Sequence, residues 1–312
     1  MDLLKSDLIV HRWDKDGLRF YYTFQDGKLY RGIGVTSLIQ KVIPPSFFLM
    51  EWNRKKGLEA IDIMNIAAEY GTLSHLCVKD LMEYNSFDLG TCPYVVSDFI
   101  SKSEHKVLIE PYQKDWARRL PRDILAFNQF CIDYQVTPLA TEMMLFSTKY
   151  LIGGAMDLLC ELTIGSGQNG AMLKKDKEGK RVVALVDYKS KLDGTFYLGH
   201  EIQLNFYQMI LKEMVPDLNI DIIANLSPKD WRSEPNYNFH IWKNDRAKLC
   251  ESYLQTYREL TKDDEDDIVT SYRGNLIFKG NSMECFEVKS VSEILLGEYN
   301  AKEQKSDILS AF

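Results

Sequence analysis

Two acidic residues set in apolar runs carry the first chemical signal in this sequence. Asp157 interrupts LIGGAMDLLCEL, and Asp187 stands near the end of RVVALVDYK, thirty residues further on. A carboxylate in an apolar strand is costly to bury unless it is paired or bound to a cation. Two such groups on adjacent strands repel each other unless a cation lies between them. Oxygen donors with no thiol among them suit Mg²⁺ or Mn²⁺. Lys189 follows Asp187 by two positions, and residues two apart on a strand face the same way. The carboxylate can then hold a metal while the ammonium orients an attacking water or steadies charge developing on a phosphate. Acid-x-lysine alone equally describes a surface ion pair. The two acids in apolar strands set this one apart.

These groups need strands to hold them, and the local patterns supply strands. LIVHRW, LRFYYTF and KLYRGIGV are rich in β-branched and aromatic residues, with the turn signal Asp26–Gly27 between the last two, which predicts a hairpin within residues 1–35. Thr36 or Ser37 is placed to cap a short helix ending before Pro44–Pro45. Residues 46–56 and 58–84 read as helix, with Gly71 as an interruption; 86–109 has no clear pattern. Residues 112–135 read as helix with a break at Pro121. A β-rich block from 138 to 189 follows, including the glycine-rich loop GSGQNGAMLKKDKEGK. Helix is predicted over 198–214, where Ile202, Phe206, Met209 and Ile210 share a face. Strands are predicted at 219–226 and 237–243, then a helix at 245–261 and an acidic linker from Asp263 to Asp267. This order predicts an α/β core, a mixed sheet flanked by helices. The domain plan is a β-hairpin region at 1–35, a core at 36–262 with a helical insertion at about 86–135, and an extension at 263–312.

Composition sets the bounds. The 312 residues, 45% hydrophobic and 12% aromatic, support one large domain or two modest ones with a sizeable core. No window reaches the roughly 18 apolar residues of a membrane span. The N-terminus lacks a basic start followed by a long apolar run. Both point to a soluble, cytoplasmic protein without a membrane partner. The net charge of −7 counts mildly against a nucleic-acid enzyme, although basic residues cluster at Arg54–Lys55–Lys56, at Arg118–Arg119 with Arg122, and at Lys189 with Lys191. Each cluster alone reads as a solvated face; brought to one cleft, they would bind phosphate. The six cysteines, Cys77, Cys92, Cys131, Cys160, Cys250 and Cys285, form no C-x-x-C pair, so they read as scattered thiols.

Taken together, the motifs are similar to a known family. Gly154-x-x-Asp157 followed by Asp187-x-Lys189 resembles the PD-(D/E)XK nuclease superfamily. Gly71–Thr72–Leu73–Ser74–His75 upstream and Gln203–Leu204–Asn205–Phe206–Tyr207 downstream resemble the further motifs of its RecB-like branch, which includes phage recombination exonucleases. The four occur in the expected order across roughly residues 36 to 225. The resemblance implies a restriction-endonuclease-like core and one or two Mg²⁺ or Mn²⁺ ions. The implied ligands are Asp157, Asp187, His75 and the Tyr188 backbone carbonyl, with Glu142, at the start of the preceding strand, as a supplementary one. It implies that Gly71 lets its helix approach the sheet closely. Gln203 and Tyr207 would line the site and position DNA or Lys189, with Thr72 and Lys191 beside them. CRISPR-adaptation relatives carry a four-cysteine iron–sulfur site; here only Cys250 and Cys285 lie beyond residue 160, so no cluster is expected.

The activity implied is hydrolysis of DNA ends to leave 5′-phosphates, in phage or bacterial recombination, repair or replication. Lys189 would position the attacking water. Linear duplex or single-stranded ends are the implied substrates, a structure-specific endonuclease is an alternative, and ring-forming relatives make a homo-oligomer compatible. A DNA-end-binding module is the second reading, against which the complete set Asp157, Asp187, Lys189 and His75 counts. A non-nuclease metal hydrolase is the third, against which the lack of H-x-H and H-E-x-x-H counts. The terminal segment Ser306–Phe312 could dock in a protein partner's groove.

Overall fold

The computed structural model describes residues 9–15, 17–164, 179–192 and 194–262, together with the backbone course of 268–272 and 286–290. An antiparallel meander opens the chain: β1 (Val10–Lys15), β2 (Leu18–Gln25) and β3 (Lys28–Gly34). Asp26 and Gly27 both take positive φ, 52° and 71°, the turn geometry that matches strand twist. Six helices follow: α1 (Val35–Val42), α2 (Phe47–Lys56), α3 (Glu59–Tyr84), α4 (Cys92–Lys102), α5 (Lys106–Ile109) and α6 (Gln113–Asp133). The second half alternates: β4 (Thr137–Ser147), β5 (Ile152–Thr163), β6 (Arg181–Tyr188), α7 (Leu198–Met214), β7 (Ile222–Lys229), β8 (Asn236–Trp242) and α8 (Ala247–Thr261). A separate antiparallel pair, β9 (Ile268–Tyr272) and β10 (Phe286–Ser290), closes the described chain.

The predicted elements therefore form, with local differences. Neither Gly71 nor Pro121 breaks its helix. Ser37 caps nothing; it is buried inside α1, where its Oγ accepts the Arg19 backbone N–H at 2.7 Å. The patternless stretch 86–109 contains α4 and α5, whose Cys92, Val96, Ile100 and Ile109 pack with Tyr70, Leu73, Trp116 and Leu120 of α3 and α6.

Among the described residues, eight strands form one mixed sheet with order β1-β2-β3-β5-β6-β7-β8, and β4 pairs with β5. Two pairings are parallel, β3 with β5 and β6 with β7. The α7 crossover links β6 to β7, as a parallel pair requires. The N-terminal meander is thus joined to the main sheet. Helices flank it: α1, α7 and α8 bury Val35, Leu38, Ile202, Phe206 and Leu254 against one side. From α3 and α6, Val78, Phe127 and Phe130 pack against Leu158, Val186 and Tyr188. The fold is a mixed α/β sheet covered by helices.

The pairing along β5 is interrupted where the chemistry lies. β3 pairs at Ile152 and Gly153, and β6 pairs from Leu158 to Thr163. Between these stretches, Gly154, Ala155 and Met156 pair with β4 alone. The sheet forks here, and Asp157 sits at the fork.

No helix among the described residues is long and apolar enough to cross a membrane. Cys77, Cys92, Cys160 and Cys250 are buried free thiols and Cys131 is half-buried. Cys285, the loop over 165–178, the acidic run Asp263–Asp267 and the Ser306–Phe312 tip lie outside the described residues.

Candidate metal centre and substrate cleft

Strand register assembles the site. Leu158 faces Val186 in the β5–β6 ladder, so Asp157 and Asp187 come next in register. Thr141 faces Leu158 and Met143 faces Met156, which sets Glu142 opposite Asp157. Asp187 pairs with Asn225 on β7, and Asn225 with His240 on β8. One transverse row therefore runs Glu142–Asp157–Asp187–Asn225–His240 across five strands. Asp157 lies in the middle of β5 rather than at a strand end, and Glu142 lies in the middle of β4 rather than at its start. What ends at Asp157 is the pairing with β6. The freed Tyr188 N–H donates to Asp157 Oδ2 at 2.7 Å. N–H and C=O of one strand residue point to the same edge, so the Tyr188 carbonyl is directed to the Asp157 side too.

Glu142 has φ 46°, a left-handed conformation that costs a non-glycine residue roughly 1–3 kcal/mol. The strain coincides with a contact: Glu142 Oε1 lies 3.3 Å from His75 Nδ1. His75 Nδ1 is also 3.5 Å from Asp157 Oδ1. His75, Glu142 and Asp157 thus offer ligand atoms within 4.8 Å of one another. α3 carries His75 into place, held by Ser74 Oγ 2.9 Å from Tyr188 Oη and by edge-on packing of His75 against Tyr188. One imidazole nitrogen and two carboxylates form a donor set that fits a divalent cation, Mn²⁺ or Mg²⁺.

Asp187 has other partners. Its Oδ1 accepts from Lys189 Nζ and Gln203 Nε2, both at 3.0 Å. Its Oδ2 lies 2.9 Å from Lys189 Nζ and accepts from the Asn225 amide. Asn225 Oδ1 in turn accepts Trp242 Nε1–H at 2.6 Å. An indole can only donate, so the Asn225 amide must turn its NH₂ to Asp187. Gln203 also donates to Tyr207 Oη at 3.3 Å, which joins the predicted helix stripe to the carboxylate. Asn225 was not singled out from sequence; its signal was one amide inside the apolar run DIIANLS.

The electrostatics follow from burial. Burial pushes the Asp157 and Asp187 carboxyls up from the usual carboxylate range, opposed by His75 and Lys189 at Asp157 and by Lys189 at Asp187. Burial disfavours the Lys189 ammonium, but Asp187 and Asp157 outweigh it and raise its pKa. At His75 burial is likewise overcome, by Asp157 and the Glu142 hydrogen bond, and the pKa rises to about 9. His75 and Lys189 therefore offset the charge of the carboxylates they touch, and His75 would have to shed its proton to act as a ligand.

A cleft of about 1030 Å³ opens over this row. Its lining includes every sequence-selected side chain, Thr72, His75, Glu142, Asp157, Asp187, Lys189, Lys191, Gln203 and Tyr207. Arg12 and Arg19 from the meander, Lys79 from α3 and Arg119 from α6 add positive charge to the walls. Arg119 donates to the Ser190 carbonyl and, at 3.1 Å, to Asp123, so α6 is tied to the segment just after Lys189. Of the basic clusters, Arg119, Lys189 and Lys191 meet in the cleft. Arg122 instead pairs with Asp230 at 2.8 Å, and Arg54–Lys55–Lys56 is exposed on α2.

The close approach expected at Gly71 is absent. A Cβ there would meet only Ser190 Oγ at 3.4 Å, ordinary contact. The glycine packed tightly against the predicted helix stripe is Gly154, whose absent Cβ would stand 2.4 Å from the Tyr207 ring. Gly154→Ala is expected to cost about 1–3 kcal/mol through overpacking and to displace Tyr207 from Gln203. Urea denaturation of the variant beside Gly71→Ala, which should change stability far less, checks this.

Compared with known family models and with curated proteins, the sequence matches none of them.

Proposed function

We propose that this chain is a metal-dependent nuclease that hydrolyses phosphodiester bonds of DNA, built on a restriction-endonuclease-like core of the PD-(D/E)XK type. The observation that carries the reading is the convergence of the His75–Glu142–Asp157 donor set, the Asp187–Lys189 pair and five further cations, Arg12, Arg19, Lys79, Arg119 and Lys191, in one cleft. Water-seeking carboxylates alone would describe an acidic surface. Carboxylates beside arginines and lysines describe a site for a cation together with a polyanion. His75, Glu142 and Asp157, with Asp187 and the Tyr188 carbonyl beside them, would hold Mg²⁺ or Mn²⁺, which supplies Lewis-acid polarisation of the phosphate and a more acidic water.

The chain's own groups do the rest. Lys189 neutralises Asp187 and presents its remaining N–H donors to a phosphate oxygen or the attacking water. Gln203 and Tyr207 fix Asp187 from the α7 side. Arg12, Arg19, Arg119 and Lys191 hold backbone phosphates along the walls. The motif resemblance favours action at DNA ends to leave 5′-phosphates, in recombination, repair or replication.

The test uses end-labelled linear duplex and covalently closed circles with Mg²⁺, Mn²⁺ or EDTA. Metal-dependent loss of the linear substrate alone is the expected result, and EDTA should abolish it. Cutting of circles would assign an endonuclease instead. Binding without hydrolysis under any metal would overturn the enzymatic reading in favour of a DNA-binding module.

A further inference from the structure

The outer face of α3 is apolar where a solvent-facing helix should be polar. Ile61 is 55% exposed, Met64 44% and Leu76 49%, and Ala67 and Ala68 are exposed among them. From residue 61 to residue 68 the only charged side chain is Asp62. Exposed apolar side chains grouped along one helix face, rather than scattered singly, point to an interaction site. The spacing of Ile61, Met64, Ala68, Thr72 and His75 is helical, three or four residues at each step, so all five lie on one stripe. That stripe ends at the metal donor set. With a rise of 1.5 Å per residue, it runs about 21 Å from Ile61 to His75.

Charge is added at both ends. At the far end α2 stops at Gly57, whose φ is 58°, and its last turn carries exposed Lys55 and Lys56 beside Arg54, which pairs with Glu51 at 3.1 and 3.2 Å. Leu58, 88% exposed, follows immediately. At the near end stand Lys79, Arg119 and the cleft cations. α2, which packs on α3, also leaves Phe47 67% and Phe48 83% exposed. Cations flanking an apolar stripe complement a ligand with anionic linkages and exposed flat apolar faces. A single nucleic-acid strand has both: phosphates for the basic ends and unstacked bases for the apolar side chains. A duplex buries its base faces and gains nothing from such a stripe.

We propose that the outer face of α3, from the Arg54–Lys56 elbow to His75, is a track that delivers single-stranded nucleic acid to the cleft. The proposal deepens the nuclease reading and rests on it only for what happens at the His75 end. The track selects a single strand over a duplex and makes the Arg54–Lys56 elbow an entry or exit point.

Binding is measured by fluorescence anisotropy in EDTA, with labelled oligothymidylate and a blunt duplex of equal length as probes. The full chain is compared with Ile61→Ser/Met64→Ser and with Lys55→Ala/Lys56→Ala. These side chains are exposed, so the fold should tolerate the changes. Ile61→Ser/Met64→Ser is expected to weaken oligothymidylate binding roughly tenfold while duplex binding stays within about twofold; Lys55→Ala/Lys56→Ala, which removes phosphate contacts, is expected to weaken oligothymidylate binding by a similar factor. Equal losses on both probes for Ile61→Ser/Met64→Ser, or no loss of oligothymidylate binding in either variant, would overturn the track. So would a changed sedimentation coefficient of Ile61→Ser/Met64→Ser without nucleic acid, because the face would then be covered by a second copy. Because binding is read without metal, the two readings fail separately. Intact track behaviour with no hydrolysis refutes the nuclease alone; normal hydrolysis with unaltered strand binding refutes the track alone.

Discussion

Lys189→Ala is expected to lower DNA cleavage by about 10²–10³-fold at saturating Mg²⁺ or Mn²⁺, the loss typical of one transition-state donor. The reason is positional. Nζ sits 3.0 Å from Asp187 Oδ1 and 2.9 Å from Oδ2, on the cleft side of the donor row. Alanine removes the donor that, on the proposed reading, would face the phosphate, and also the positive charge beside Asp187. Gln203 and Asn225 still hydrogen-bond Asp187, so the variant should fold, at a cost of about 1–3 kcal/mol for the weakened carboxylate. Single-turnover cleavage gives the first number and urea denaturation the second. Undiminished cleavage by a folded variant would remove Lys189 from the reaction and with it the assignment of the cleft.

The second large effect belongs to a residue with no place in the predicted motifs. Asn225 is fully buried and joins Trp242 Nε1–H to Asp187 Oδ2. Asn225→Leu leaves the indole donor unpaired and strips a buried carboxylate of one of three donor side chains. Each orphaned buried group costs about 1–3 kcal/mol, so a loss of about 3 kcal/mol is expected, seen as a lower urea midpoint at unchanged slope. Trp242 fluorescence should change as well, since its N–H would lose a defined partner. A stability loss under about 0.5 kcal/mol, within the range of surface substitutions, would mean that the Trp242–Asn225–Asp187 chain is not formed in solution.

Cleavage measured on the Asn225 variant adds a separate distinction. If Asn225 acts only by holding Asp187, cleavage should fall less than in Lys189→Ala, because the Lys189 ammonium remains. A loss equal to that of Lys189→Ala would mean that the Asp187 orientation limits the reaction as strongly as the ammonium does.

Local chemistry was enough to identify the elements and much of the cleft. Apolar runs broken by Asp157 and closed by Asp187 announced strands with buried acids, because burying a carboxylate in a strand needs a compensating partner. The i, i+2 relation of Asp187 and Lys189 and the i, i+4 relation of Gln203 and Tyr207 are properties of strand and helix alone, and the corresponding hydrogen bonds form. What local periodicity could not express was register. Glu142, Asp157, Asp187 and Asn225 form one row only because β4, β5, β6 and β7 align as they do, and a slip of one residue would turn each side chain to the other face. The fork along β5 arises from the same long-range pairing, and the Tyr207 ring reaches Gly154 because α7 packs on β5. The sequence by itself determined which acidic, amide and basic side chains stand in the apolar strands and on the helix stripe. Tertiary structure decided that Glu142, rather than Asp187, joins His75 and Asp157 in the closest donor set, and that Asn225 supports Asp187, because nothing in a chain's local pattern specifies which strands become neighbours.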